Sequence, residues 1–273
     1  MSHIHSRSFF LAFWCIMICI SGCGRVEVRK ADSTLDVVQS KEERKTDFKI
    51  REGEKLKFSI RWLGMEVGTV EAMMKGIEKI RGRDAYHIVV YARSNSLIDL
   101  VYPVRDEHHT YIDTEHVHSL RYEKILKEGR YRADEVMEFD QEHHKAAYYS
   151  RKNGSRKQML TLKNVQDEIS SAYWFRTQPL KVGETVHIPA MANEKNWDLE
   201  VQILQKDQVD IKGLGTFEAF QLEPSATFRG IFIRRAKIRG WVSADEKRLP
   251  LMMKTKIPVL GTITMVLVSY EGW

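Results

Sequence analysis

The chain has 273 residues, a formal net charge of +6 and only three cysteines, with 43% hydrophobic and 10% aromatic residues. Such a composition excludes a disulfide scaffold and a low-complexity, intrinsically disordered chain. It leaves room for one large β domain or two small ones. The modest positive excess reads first as a solvated surface and then as a surface for anionic lipid headgroups; nucleic acid is not expected as a partner.

The first element is the apolar run Phe9–Ile20, preceded by Arg7. A spanning helix needs roughly 20 apolar residues, so this run is short for an anchor and right for a signal-peptide core. Ile20-Ser21-Gly22-Cys23 follows and is similar to the bacterial lipobox, where cleavage falls just before a cysteine whose thiol carries diacylglycerol. The expected division is a lipoprotein signal peptide over 1–22, a lipid-anchored tether over 23–46 and a single β-rich periplasmic domain over 47–273. Cys15 and Cys19 leave with the signal and Cys23 is the lipid attachment residue, so the mature chain has no thiol for catalysis, metal or a disulfide. Palmitate-type chains hold the membrane through about 0.8 kcal/mol per buried methylene. Gly24 stands where an inner-membrane retention aspartate would, which points to the outer membrane, periplasmic face. A coil of the tether's length spans roughly 25–30 Å.

From Phe48 onward the pattern is that of strands. "KLKFSIRW" alternates Leu56, Phe58 and Ile60 with polar residues, and "VGTVEAMMKGIEKI", "DAYHIVVYARS", "RYEKILKEGRYRADEVMEF" and "KAAYYSRKNGSRKQMLTL" continue the style. Turns are predicted at Gly129 and at Asn153-Gly154. "NSLIDLVY" allows a turn or two of helix before Pro103. "DEISSAYWFRTQ" predicts one short helix near 167–177 with Asp167 at its start. Further strands are read in "WDLEVQILQKDQVDI", "GTFEAFQLEP", "IFIRRAKIRGWVS" and "LPLMMKTKIPVLGTITMVLVSY". The fold class is all-β: curved antiparallel sheets, as an incomplete barrel or a two-layer sandwich, with that one helix.

Taken in order, "GEKLKFSIRWLGMEVGT", "YPVRDEHHTYID", "MEFDQ", "DEISSAYWFRTQPLKVGE", "GTFEAF", "GIFIRRAKIRGWVSADEKRLPL" and "LGTITMVL" resemble the bacterial exported family named domain of unknown function 3108, over about residues 48–270. That resemblance implies an envelope protein with a β-rich fold; it implies no reaction, no cofactor and no catalytic residue.

Three patterns carry candidate chemistry. In "DEHHTYIDTEHVHSL" a two-residue loop at 113–114 or 114–115 would put His109, His116 and His118 on one face of a hairpin, a possible zinc ligand set. The plainer reading of that face is solvated surface. In "FRGIFIRRAKIRGW" alternation puts Arg235, Lys237 and Arg239 on one face, a docking stripe for an anionic headgroup or an edge protected against aggregation. Finally, the Met and aromatic residues suit either a packed core or an apolar concavity for acyl chains. The expected function is therefore a non-enzymatic envelope lipoprotein that binds or handles a hydrophobic or lipid-like ligand at the outer membrane. The alternatives are a structural or interaction protein in envelope assembly, its protein partner unspecified, and a metal-dependent hydrolase built on the His hairpin.

Overall fold

A computed structural model describes residues 49–228, 231–233, 237–257 and 261–273. The elements in chain order are β1 (Lys55–Trp62), β2 (Met65–Ile80), β3 (Arg83–Ser94), α1 (Ser96–Asp99), β4 (Arg105–Asp113), β5 (Ser119–Glu128), β6 (Tyr131–Asp140), β7 (Lys145–Ser150) and β8 (Arg156–Leu160). After them come α2 (Ser170–Arg176), β9 (Thr185–Ala192), β10 (Lys195–Ile211), β11 (Gly215–Phe228), β12 (Ile231–Ile233), β13 (Lys237–Ser243), β14 (Pro250–Ile257) and β15 (Gly261–Glu271).

Every strand pairing is antiparallel, and the order across the sheet is β8-β7-β6-β5-β4-β3-β2-β1-β15-β14-β13-β11-β10-β9, with β12 on β11 off this path. Because β1 pairs with both β2 and β15, the chain's first and last strands lie side by side in the middle, and the two edges are β8 and β9. Those edges meet through the connection that follows β8. The Gln166 backbone donates to Pro189 O at 2.8 Å and accepts from Met191 N at 2.8 Å, a short parallel bridge against β9. Asn196 reinforces it, donating to Leu160 O at 2.8 Å and accepting from Leu162 N at 3.3 Å. The result is an incomplete barrel, sealed by a connection rather than by a ladder.

Alternation decides which side is buried. On β4 Asp106, His108, Thr110 and Ile112 are buried while Glu107, His109 and Tyr111 are partly exposed, the period of two a pleated strand imposes. Helix α2 packs on the concave side and joins the halves of the sheet. Tyr173 belongs to the cluster of Leu56, Phe58, Ile88, Ile112 and Leu267, while Phe175, two residues on, belongs to that of Ile188, Trp197, Leu199 and Ile203. A third cluster, Tyr122, Phe139, Tyr148 and Val165, closes the β5–β7 end. No helix among the described residues is long and apolar enough to cross a membrane.

The expected helix near 167–177 is α2, and Asp167 does start it: its Oδ1 accepts from the backbone N–H groups of Ile169 and Ser170, both at 2.8 Å. Gly129 takes its turn with φ +53°, and a side chain there would strike the Tyr102 ring. The connection expected to be a two-residue loop at 113–114 or 114–115 is instead residues 114–118. The buried Asp113 carboxylate folds that turn by accepting from Glu115 N at 3.0 Å and His116 N at 2.7 Å, and Val117 takes φ +51°.

Candidate functional site

Several charged side chains are buried around α2. Arg176, the last residue of α2, is buried and donates from both terminal nitrogens to the buried Glu54 carboxylate, at 2.8 and 2.7 Å. Its Nε donates to Arg248 O at 3.0 Å. Asp167, also fully buried, accepts from Thr110 Oγ1 at 2.6 Å and Ser119 Oγ at 2.5 Å besides its two backbone donors. Burial pushes its carboxyl above the ordinary range, against the pull of those hydrogen bonds. Beside it, Tyr122 donates to Glu168 at 3.1 Å and meets His108 Nδ1 at 2.8 Å. Lys124 lies 3.2 Å from Glu135 and 3.8 Å from Glu168; burial would discharge it, but the two carboxylates outweigh that and hold it as ammonium. With four donors on Asp167, the lone-pair capacity of a carboxylate is used. The group anchors α2 to β4 and β5. Tyr173 and Phe175 of α2 pack into the two apolar clusters of the inner face.

The three histidines do not converge. His109 faces outward from β4 and bonds Glu107 at 2.8 Å and His87 at 2.9 Å. His116 and His118 lie in the turn, their rings stacked with centroids 5.3 Å apart, and it is Asp113 rather than His109 whose oxygen comes within reach of both. The single-face expectation fails because the 114–118 turn is not a two-residue loop. Asp113 is in any case committed: Arg83 Nε donates to it at 2.6 Å and Arg83 also lies 3.0 Å from His116 Nδ1. Burial raises the Asp113 carboxyl, yet Arg83 and the turn's N–H groups prevail and leave it at about 2.

The basic stripe fares differently. Arg235 lies outside the described residues, as does Cys23. Lys237 and Arg239 share a face of β13, and pairing supplies two cations that single-strand alternation did not suggest: Lys237 lies opposite Lys256 and Arg239 opposite Lys254 on β14. Lys237, Lys254 and Lys256 are exposed, while Arg239 is half-buried and ion-paired with Glu223. The next strands extend the rows, Lys254 to Thr264 to Arg61 and Lys256 to Thr262. On this face a depression of about 460 Å³ is lined by Arg61, Leu63, Gly64, Met252, Thr262, Thr264 and Val266. Lys254 Nζ stands 5.4 Å from the centroid of the Trp241 ring. Glu66, opposite Arg61, is the acid on the β2 side. Like charges directly across a ladder are unfavourable; of these two pairs, Arg239 opposite Lys254 is offset by Glu223. The same end of the sheet exposes Leu63 and Met65, and on the α1 loop Leu97, Leu100 and Val101. That loop is tied to β2 by Asn95, which donates to Glu66 O at 2.6 Å.

A curved antiparallel sheet plugged by a polar-anchored helix, with its irregular chemistry on the outside, defines a β-barrel-like domain. The profile of the family described as protein of unknown function (DUF3108) matches residues 57–268, and the chain belongs to that family. Among solved structures it is similar to the β-barrel-like protein of domain of unknown function DUF1849 from Brucella abortus, with 10% identity and a TM-score of 0.55 over 82% of this chain and 100% of that one. A weaker likeness, TM-score 0.36 at 8% identity, covers 82% of this chain and 97% of a candidate lipoprotein from Parabacteroides distasonis. The first of these shows the fold. No curated protein matches the sequence.

Proposed function

We propose that this is a non-enzymatic envelope lipoprotein, anchored through Cys23 at the periplasmic face of the outer membrane, that handles an anionic lipid on the outer face of its sheet. The observation that carries this reading is the pairing of Lys237 with Lys256 and Arg239 with Lys254 beside an open depression floored by Met252 and Val266. Division of labour follows from the chemistry. Acyl contact with Leu63, Met252 and Val266 contributes about 25 cal/mol per Å² of apolar surface covered. The cations select the headgroup, and their share weakens with salt because exposed charges are screened within about 10 Å at 0.1 M. The exposed Leu97, Leu100 and Val101 give the same end a means of touching a bilayer.

The test is displacement of a fluorescent acyl probe from the mature protein by phosphatidylglycerol or phosphatidylcholine, at low and high salt. Combined Lys237→Gln, Lys254→Gln and Lys256→Gln should weaken the anionic lipid more than the neutral one, at low salt only; Lys145→Gln on β7 serves as control. Failure of any lipid to displace the probe, or a triple variant that behaves as wild type, sinks the proposal and favours a structural role in envelope assembly.

A further inference from the structure

Three adjacent strands place four titratable side chains in one line on the outer face of the sheet, away from the lysine patch. His87 Nδ1 lies 2.7 Å from Glu78 Oε1, His87 Nε2 lies 2.9 Å from His109 Nδ1, and His109 Nε2 lies 2.8 Å from Glu107 Oε1. The register makes this possible: His87 pairs with Tyr111 and Val89 with His109, so the imidazoles are diagonal neighbours on one face. The ring centroids are 5.2 Å apart, longer than the N–N distance by close to two imidazole ring radii, so the facing nitrogens point at each other edge to edge. Tyr111 stacks on His87, centroids 4.5 Å apart and planes at 12°, which fixes that ring.

The proton count follows from what each atom can do. A carboxylate only accepts, so each Glu requires a proton on the imidazole nitrogen facing it. Those protons fix the tautomers as Nδ1–H on His87 and Nε2–H on His109, and a neutral imidazole has no second proton. The inner nitrogens then both present lone pairs to each other, an arrangement that needs a cation between them. A proton is one candidate. A metal ion is the other, and the surroundings suit it: a ligating histidine ordinarily gives its far N–H to a carboxylate, which orients the ring and raises its basicity. Both histidines here have that partner.

We propose that His87 Nε2 and His109 Nδ1 are the protein ligands of a divalent transition-metal site, of the zinc, copper or nickel class that imidazole favours, with Glu78 and Glu107 as its outer carboxylates. Nitrogens at the usual 2.0–2.1 Å from a tetrahedral ion stand about 3.3 Å apart, so the pair need open by only about 0.4 Å. The His87 and His109 side chains are 12% and 20% exposed, which leaves the remaining positions to water. Burial holds the His87 imidazolium below its ordinary range, with the Glu78 hydrogen bond opposing, which favours the neutral ring a metal requires. The site is distinct from the Asp113–His116–His118 group, where Arg83 stands, and it does not depend on the lipid reading.

The experiment uses the mature protein without an affinity tag, stripped with chelator and titrated with Zn²⁺ and with Cu²⁺. One equivalent is expected to bind, lost in His87→Ala and in His109→Ala, retained in the His116→Ala/His118→Ala double variant, and weakened by about 10–100-fold in Glu107→Gln. Electron paramagnetic resonance of the Cu²⁺ form should show two imidazole nitrogens, a readout on wild type that does not depend on any variant folding. No uptake of either metal, uptake that follows His116 and His118, or a copper spectrum without two nitrogens overturns the proposal and leaves the pair as a proton-sharing clasp.

Discussion

Breaking the Glu54–Arg176 pair should be among the most destabilising single changes in the domain. The side chains are 0% and 3% exposed, joined by two hydrogen bonds, and Arg176 further donates to Arg248 O at 3.0 Å and Lys247 O at 3.2 Å. The pair links the residue preceding β1 to the end of α2 and to the β13–β14 connection. Glu54→Ala would leave a guanidinium buried with two carbonyl partners; removal of one member of a buried pair costs about 3–5 kcal/mol. At about 2–4 °C per kcal/mol for a chain of this size, that is a fall in Tm of about 6–20 °C. Glu54→Leu with Arg176→Met removes both charges together, and should cost several kcal/mol less than the sum of Glu54→Ala and Arg176→Ala. Urea denaturation followed by circular dichroism and by tryptophan fluorescence supplies the numbers, and coincident curves license the two-state treatment. A Glu54→Ala loss below about 1 kcal/mol, or single and double variants that simply add, would refute the account of α2 as a plug held by this pair.

The remaining predictions rest on other groups. Asp106 is buried on β4 and raised from 3.8 to about 7, chiefly by burial, with Glu128 adding and the Lys127 N–H opposing. Between about pH 4 and pH 7 the folded state therefore keeps a proton the unfolded chain has released, so stability should fall as pH rises through that window, and Asp106→Asn should flatten the slope. An unchanged urea midpoint-against-pH curve in the variant would contradict this. Cys23→Ser should leave the precursor unlipidated and uncut before residue 23, whereas the wild-type mature chain should begin at Cys23 with an acyl mass increment in intact-mass spectrometry. A wild-type chain retaining residues 1–22 would remove the anchor from the proposal.

What could be read from the sequence was local. Alternation of Leu56, Phe58 and Ile60 marked β1, Asp167 marked the start of α2, and the glycine at 129 marked a turn, because each signal lies within a few residues of the structure it specifies. What escaped depends on partners far along the chain. The pairing of β1 with β15 joins residues about two hundred positions apart, and no strand announces its neighbour. The basic stripe was half visible for the same reason: Lys237 and Arg239 share a face by parity, but Lys254 and Lys256 join them only through the β13–β14 register. The histidine expectation failed on a side chain, since Asp113 folds its own turn and so removes the parity that would have aligned His109 with His116 and His118. His87, which does meet His109, lies 22 residues earlier, and only the β3–β4 register brings it there.

The buried polar groups around α2 have a single origin. An incomplete barrel leaves its concave face with polar positions such as Asp106, His108 and Thr110 on β4, and buried polar groups must be bonded. Asp167 and Glu168 ahead of α2, and Arg176 at its end, bring partners for the polar groups they meet, and Tyr173 and Phe175 fill the apolar space between. The chain enters beside Gly272, at the start of β1, and the depression lies at the other end of that strand, eight residues or about 26 Å away. In the proposed anchored form, the stretch between Cys23 and β1 has to bridge a span of that order for the cationic end to face the bilayer.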